Sequence, residues 1–195
     1  MSHEIRTPMN GISGFLQLLK KTDLSKQQEK YLEITQSSVS TLLKIINDIL
    51  DFSKIESGKM GSELIELNPF VELEKAFIPF MPIAREKDIS YQIHIDSKLD
   101  ECLLIDELHV KQVMQNLINN AIKFTPKHGT VIAQVLVLSK TQTHTRVRFA
   151  VKDNGIGIAK ENQQNIMLAF SQADNTTTRK FGGTGLGLSI SASLI

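Results

Sequence analysis

Apolar residues at Ile5, Met9, Ile12, Leu16 and Leu19 recur at alternating spacings of four and three, which is the seam of a heptad helix. Lys20 to Ser25 is a short polar connection. A second seam follows through Leu32, Thr35, Val39, Leu42, Ile46, Ile49 and Ser53, widened by Leu43, Ile45, Leu50 and Phe52. Two helices joined this closely form an antiparallel hairpin, and its apolar face is too broad for one hairpin to cover. A second copy completing a four-helix bundle is the simplest solution. Ser57-Gly58-Lys59-Met60-Gly61-Ser62 ends the long helix and reads as a linker.

Beyond it the period changes. Asn68-Pro69 is a helix start, and Pro79 with Pro82 should break or kink that helix near Phe80. Tyr91 to Ile95, Val131 to Leu138 and Arg146 to Lys152 alternate as strands. Glu107 to Phe124 reads as a helix with Val110, Val113, Leu117, Ala121 and Phe124 on its apolar face. Helices on one side of a mixed sheet make an α/β sandwich. The expected whole is α+β, with a helical hairpin over residues 1–57, a linker over 58–66 and the sandwich over 67–195.

Three clusters carry candidate chemistry. The first is a pair of glycine runs, Asp153-Asn154-Gly155-Ile156-Gly157 and Gly182-Gly183-Thr184-Gly185-Leu186-Gly187-Leu188, flanking a long polar segment. Glycine lets a backbone wrap a nucleotide, because it reaches positive φ cheaply and has no Cβ to hold a phosphate away. A Walker-type loop is excluded, since Gly187 is followed by Leu188-Ser189 and not by Lys-Ser or Lys-Thr. A dinucleotide fold is disfavoured too, because the second run opens the last helix with no acid about twenty residues on. The stretch from Gly155 to Gly182 is too long for a simple turn and is expected to be a lid, with a short helix within Ala159 to Phe170 and a mobile tip at Asn175-Thr176-Thr177-Thr178.

The second cluster is the polar stripe Gln112, Asn116, Asn120 and Lys123 on the back of the Glu107 to Phe124 helix. Positions four apart lie within about 40° of one another around a helix, so these groups can act together. Asparagine is a poor helix former, and two of them here need a reason. Amide oxygens suit a hard cation such as Mg²⁺, and the lysine suits phosphate. The third cluster is Ser2-His3-Glu4-Ile5-Arg6-Thr7-Pro8. His3 points away from the heptad seam, and an exposed imidazole keeps a large neutral, nucleophilic fraction near pH 7. Glu4 beside it is a candidate base, Thr7 shares its face, and Pro8 should bend the helix just after His3.

With these blocks in view, the chain resembles the catalytic core of two-component sensor histidine kinases. Ser2 to Pro8 is similar to the family's H box, Gln115 to Thr125 to its N box, Asp153 to Ile158 to its first glycine box and Gly183 to Leu188 to its second. Arg179-Lys180-Phe181 and Phe170-Ser171-Gln172-Ala173-Asp174 look most like hybrid kinases, which carry receiver domains further along the chain. The resemblance implies an ATP-binding domain of the gyrase, chaperone and histidine-kinase type after a dimeric phosphotransfer bundle. It implies His3 as phosphoacceptor with Glu4 accepting its ring proton, Asn120 as the Mg²⁺ ligand, and Asn116 and Lys123 near the phosphates. Asp153 would accept from the adenine amino group in a pocket shaped by Gly155 and Gly157. Gly183, Thr184, Gly185, Leu186 and Gly187 would form the lid hinge and present amides to phosphate, aided by the positive end of the helix that starts there. Glu4 followed three residues later by Thr7 fits the family's phosphatase-competent pattern. ATP and Mg²⁺ are the implied cofactors, and a second copy and a response-regulator receiver domain are the implied partners. His109 stands where the family commonly has arginine, and Leu168-Ala169 where it has Glu-Pro.

Composition narrows the picture. The 195 residues are 41% apolar and 22% charged, enough for one ordinary core plus a helical appendage, and a net charge of +1 gives no argument for nucleic acid or an anionic membrane. Cys102 is the only cysteine, so no internal disulfide forms and a reducing, cytoplasmic setting is expected, with any inner-membrane anchor before Met1. The family pattern places helical turns before His3 and closing strands after Ile195, so the domain is expected to be incomplete at its C-terminal end. Two rivals use the same residues differently. A gyrase- or chaperone-type ATPase would share the nucleotide pocket but has no need of His3-Glu4 on a heptad helix, and a dimeric scaffold with an inactive nucleotide site would have no need of the asparagines and glycines.

Overall fold

The computed structural model describes residues 2–171 and 184–195, the side chains of Ser2 and His3 excepted. The chain divides into two compact units, residues 1–60 and 61–195.

The first unit is a helical hairpin of α1 (Ser2–Leu19) and α2 (Lys26–Glu56). The sequence between them sets the start of α2. Ser25 accepts the amide of Gln28 at 3.3 Å while the Gln28 side chain accepts the amide of Ser25 at 2.8 Å, a reciprocal capping box that satisfies two orphan amide donors. The hydroxyl-rich middle of α2 stays helical because Thr35, Ser38 and Thr41 each donate to the carbonyl four residues back. Pro8 lies inside α1, which continues through it. Across the hairpin Arg6 donates to Asn47 Oδ1 at 3.3 Å. The covered or half-covered positions of α2 are Leu32, Gln36, Val39, Leu43, Ile45, Ile46, Asp48, Leu50, Asp51, Phe52 and Ile55, while Thr35, Leu42, Ile49 and Ser53 of the expected seam are exposed. The apolar face is therefore wider than one seam. Among the described residues of this unit only Leu32 is buried, whereas Phe15 is 74% and Tyr31 58% exposed.

The second unit is the α/β layer. Its main sheet has the order β2 (Ser90–Ile95), β4 (Thr130–Lys140), β5 (Thr145–Asp153), with β2 parallel to β4 and β4 antiparallel to β5. A smaller antiparallel pair joins β1 (Ile65–Leu67) to β3 (Leu103–Ile105) in the register Ile65 opposite Ile105. Helices α3 (Pro69–Phe77), α4 (Phe80–Glu86) and α5 (Glu107–Phe124) supply the second layer. Along β4 the alternation puts Val131, Ala133 and Val135 into the core, where they meet Phe77, Met114 and Ile118, all fully buried. Asn68 caps α3 with Pro69 in its first turn. The expected break falls at Ile78-Pro79, because a proline there cannot carry the i to i−4 ladder onward. Pro82 is tolerated in the first turn of α4, where its missing amide would have had no helical partner.

Glu72 of α3 draws in two cations, Lys75 at 2.6 Å and Lys111 of α5 at 3.0 Å, and Lys111 also pairs with Glu107. Lys75 first, then Lys111, hold the Glu72 carboxyl down to about 2 from an ordinary 4.5. A carboxyl lowered on folding binds fewer protons in the native state, so its stabilisation is complete above the unfolded value and is lost as pH falls through the folded one. The melting temperatures of the unchanged chain and Glu72→Gln are therefore expected to converge as pH drops from 4.5 towards about 2. Parallel curves over that window would refute the pairing.

Candidate nucleotide site and phospho-acceptor helix

The candidate nucleotide site assembles around the second half of α5. Asp106 caps the helix, accepting from the His109 amide at 2.9 Å, and its other oxygen takes the Glu63 amide at 2.9 Å and the Ser62 hydroxyl at 3.0 Å. His109 Nδ1 lies 3.1 Å from the same carboxylate, so this histidine helps to hold the chain entering this unit. Burial pushes the Asp106 carboxyl up, but the hydrogen bonds from the His109 and Glu63 amides and from Ser62 together outweigh it and keep the group below its usual range. At the far end, Lys87 donates to the Ile122 carbonyl at 3.2 Å and Ile156 to the Phe124 carbonyl at 3.3 Å, satisfying acceptors that a helix end leaves open.

That second contact brings the first glycine run to α5. The Asp153 Oδ1 accepts the Gly155 amide at 2.9 Å, and Asn154 Oδ1 accepts the Thr130 amide at 2.7 Å. Asp153 is exposed at the end of β5, and Gly155 lies so close to α5 that a Cβ there would sit 2.6 Å from the Phe124 carbonyl oxygen. Gly157 has φ +69 with open space about it. Lys123 holds its ammonium 4.8 Å from the centroid of the Phe124 ring.

The second glycine run is described from Thr184 onward. Gly185, at φ +70, accepts the Phe170 amide at 3.1 Å, and Thr184 Oγ1 accepts the Leu186 amide at 3.3 Å. Leu186 is fully buried and leads into α7 (Gly187–Ser193), which among the described residues is the next helix after the short α6 (Lys160–Gln163). From α7, Ser191 accepts the Asn116 Nδ2 at 2.9 Å, and Asn116 Oδ1 in turn accepts the Asn120 Nδ2 at 3.4 Å. A Cβ on Gly187 would stand 2.3 Å from Asn116 Oδ1. So Asn116, Asn120, Gly187 and Ser191 meet in one place, and Asp153 with Gly155 is tied to the end of the same helix. Gly183, and the expected lid tip at Asn175 to Thr178, lie outside the described residues.

Sequence reasoning passed over Ser191 and Asn154. Ser191 lies 75 positions from its partner Asn116, and only its placement one turn after Gly187 could have singled it out. Among the described residues no group of three His, Cys, Asp or Glu could hold a metal ion, so a cation at this place would have an amide oxygen together with the oxygens that phosphates and waters bring. An apolar cavity of about 30 Å³, lined by Leu67, Leu73, Leu103, Val110 and Phe149 near the start of α5, has room for only about one or two waters and is not this site.

On the hairpin, α1 carries Glu4 and Thr7 on exposed positions, and His3 lies in the helix with its side chain outside the described part. Among the described residues no helix is long and apolar enough to cross a membrane.

Residues 1–58 match the His Kinase A (phospho-acceptor) domain, and residues 105–195 match the histidine kinase-, DNA gyrase B- and HSP90-like ATPase family. The chain belongs to the sensor histidine kinase family. This kinase core is 43% identical over 195 residues to the sensor protein GacS of Pseudomonas syringae pv. syringae, covering 100% of this chain and 21% of the relative. The kinase core thus spans about a fifth of the length of that relative. Among solved structures it is similar to full-length ShkA in complex with AMPPNP, with a TM-score of 0.77 and 34% identity over 99% of this chain and 39% of that one. It is also similar to the histidine kinase ThkA in complex with the response regulator TrrA, at a TM-score of 0.61 and 28% identity over 99% of this chain and 52% of that one. The α+β expectation, a hairpin followed by a histidine-kinase-type ATPase domain, is borne out.

Proposed function

We propose that this chain is the working core of a sensor histidine kinase, moving the γ-phosphoryl group of ATP to His3 and from there to an aspartate of a response-regulator receiver domain. The observation that carries the reading is the hydrogen-bonded chain from the Ser191 hydroxyl through the Asn116 amide to that of Asn120, the two asparagines standing on the helix whose end is stitched to the Asp153 loop. Phosphoryl transfer is mainly positioning and charge stabilisation, and these groups supply both. Asp153 accepts from the adenine amino group, Gly155 and Gly157 shape the purine pocket, and Asn116 and Lys123 attend the phosphates. The turn of Gly183, Thr184, Gly185, Leu186 and Gly187 presents backbone amides to them. Asn120 supplies an oxygen to Mg²⁺, which when bound neutralises phosphate charge. On α1, Glu4 accepts the ring proton of His3, and Thr7 orients a water for the reverse, phosphatase reaction. The exposed apolar face of the hairpin is covered by a second copy, giving a homodimer. The setting is cytoplasmic, the sensor and any anchor belong to other parts of the full-length protein, and the receiver stands on the same polypeptide.

The test is the chemistry of the label. Incubation with γ-labelled ATP and Mg²⁺ is expected to give protein-bound phosphate that is lost in acid and stable in alkali, as a phosphoramidate is. Acid-stable label would place the acceptor on a hydroxyl and overturn the reading, and intact nucleotide binding without label would favour the scaffold.

Asp153→Asn isolates the purine contact, because the amide keeps the Oδ1 that holds the Gly155 amide. A hydrogen bond to a charged group contributes about 1.5–3 kcal/mol, so affinity for an ATP analogue is expected to fall roughly tenfold to a hundredfold, with lost preference over GTP. Equal affinities of the unchanged chain for ATP and GTP in calorimetry would show that Asp153 does not read adenine.

A further inference from the structure

We propose that Ser191 is a positioning residue that decides which atom of Asn120 is offered to Mg²⁺, an inference that rests on the assignment of Asn120 as the metal ligand. The argument is one of hydrogen-bond direction. A serine hydroxyl has a single proton, and that of Ser191 goes to the Gly187 carbonyl at 2.9 Å, an atom that can only accept. Ser191 Oγ must therefore accept from Asn116, and the atom of Asn116 at 2.9 Å from it must be the amide nitrogen. This fixes the orientation of the Asn116 side chain and leaves its Oδ1 for Asn120. Asn120 can answer an oxygen only with its own Nδ2, at 3.4 Å, so its Oδ1 is left for a cation. Reversing any one member would set two like atoms against each other at the next. Ser191 is only 5% exposed, so water does not compete easily for its hydroxyl.

Gly187 protects the arrangement from the other side, because its missing Cβ is the space that Asn116 Oδ1 occupies. The amide of Asn120 is thereby oriented by a residue 71 positions later, in the helix that follows the second glycine run. Partners that orient a metal ligand in this way typically account for about 10–100-fold in metal affinity.

The experiment measures the affinity of a non-hydrolysable ATP analogue by calorimetry with and without Mg²⁺, so that the quantity read is the gain due to the metal. Ser191→Ala is expected to reduce that gain about tenfold, and because the gain is a ratio, any change in phosphate binding through Asn116 is divided out of it. Ser191→Cys, which keeps the shape of the side chain in a somewhat larger atom but accepts weakly, should give the same loss, and thermal melting of both proteins reports their folding. In an Asn120→Asp background the gain should persist and the Ser191→Ala loss should vanish, since a carboxylate offers oxygen whichever way it turns. An equal loss in both backgrounds would reduce Ser191 to packing and overturn the proposal, as would no loss in the unchanged background. A gain that survives Asn120→Ala would instead sink the metal assignment itself, so the two failures are told apart.

Discussion

A His3→Gln protein is expected to take up no label from γ-labelled ATP, yet to bind an ATP analogue as tightly as the unchanged chain. Separation follows from the architecture, since His3 belongs to the hairpin unit of residues 1–60 while the asparagine stripe and both glycine runs belong to residues 61–195. Glutamine is a good helix former of similar reach, so α1 should keep its helicity and its heptad seam. What it lacks is a nitrogen with an available lone pair, because its amide nitrogen is committed to resonance, and no phosphoramidate can form. Three measurements decide the matter together: incorporated label, analogue affinity by calorimetry and helicity by circular dichroism. Label that survives the substitution would move the acceptor to another residue. Lost affinity with intact helicity would show that His3 contributes to nucleotide binding as well.

How far the sequence could be read depended on the length over which each signal repeats. The hairpin was legible because its apolar spacing persists over many turns, and α5 because five apolar positions and a polar stripe agree on its faces. The break between α3 and α4 was legible because proline acts through covalent geometry. The small β1–β3 pair was not foreseen. Three residues are too few for alternation to show, and Leu104, apolar yet 65% exposed, blurs what little signal Leu103-Leu104-Ile105 carries. On α2 the covered stripe is displaced from the expected seam towards the widening positions Leu43, Ile45, Leu50 and Phe52, because apolar residues adjacent in sequence, such as Leu42 and Leu43, leave the choice of covered face to tertiary packing.

The candidate site divides in the same manner. Asn116 and Asn120 stand out locally, since two poor helix formers on one stripe oppose helix propensity. Ser191 does not stand out, because its meaning comes from a hydrogen bond that spans 75 positions. Asn154 is hidden for a similar reason, as it reads like any turn residue until its bond to the Thr130 amide is seen. The glycine boxes announced a nucleotide loop as a motif, but not which glycine is needed for space and which for conformation.

That distinction gives the second large effect. Gly155→Ala is expected to lose most nucleotide affinity, whereas Gly157→Asn should nearly retain it. At Gly155 the added Cβ would lie 2.6 Å from the Phe124 carbonyl oxygen and 2.8 Å from Asp153 Oδ1. Neither atom can yield cheaply, since one is the backbone of α5 and accepts the Ile156 amide, and the other holds the Gly155 amide itself. The loop must therefore lift from α5 and take Asp153 with it, at about 1–3 kcal/mol of overpacking in the fold. The Asp153 contact is lost as well, for roughly a further tenfold to hundredfold in affinity. At Gly157 a Cβ would meet no atom within 4 Å, and the requirement is the left-handed φ of +69 alone. Alanine there should cost about 1–2 kcal/mol, and asparagine less, because its short side chain tolerates that region. Analogue affinity and denaturant midpoints of Gly155→Ala, Gly157→Ala and Gly157→Asn test the ordering. Near-equal behaviour of Gly155→Ala and the unchanged chain would mean that the loop does not rest on α5, and Gly157→Asn falling as far as Gly155→Ala would mean that Gly157 too is held by close packing.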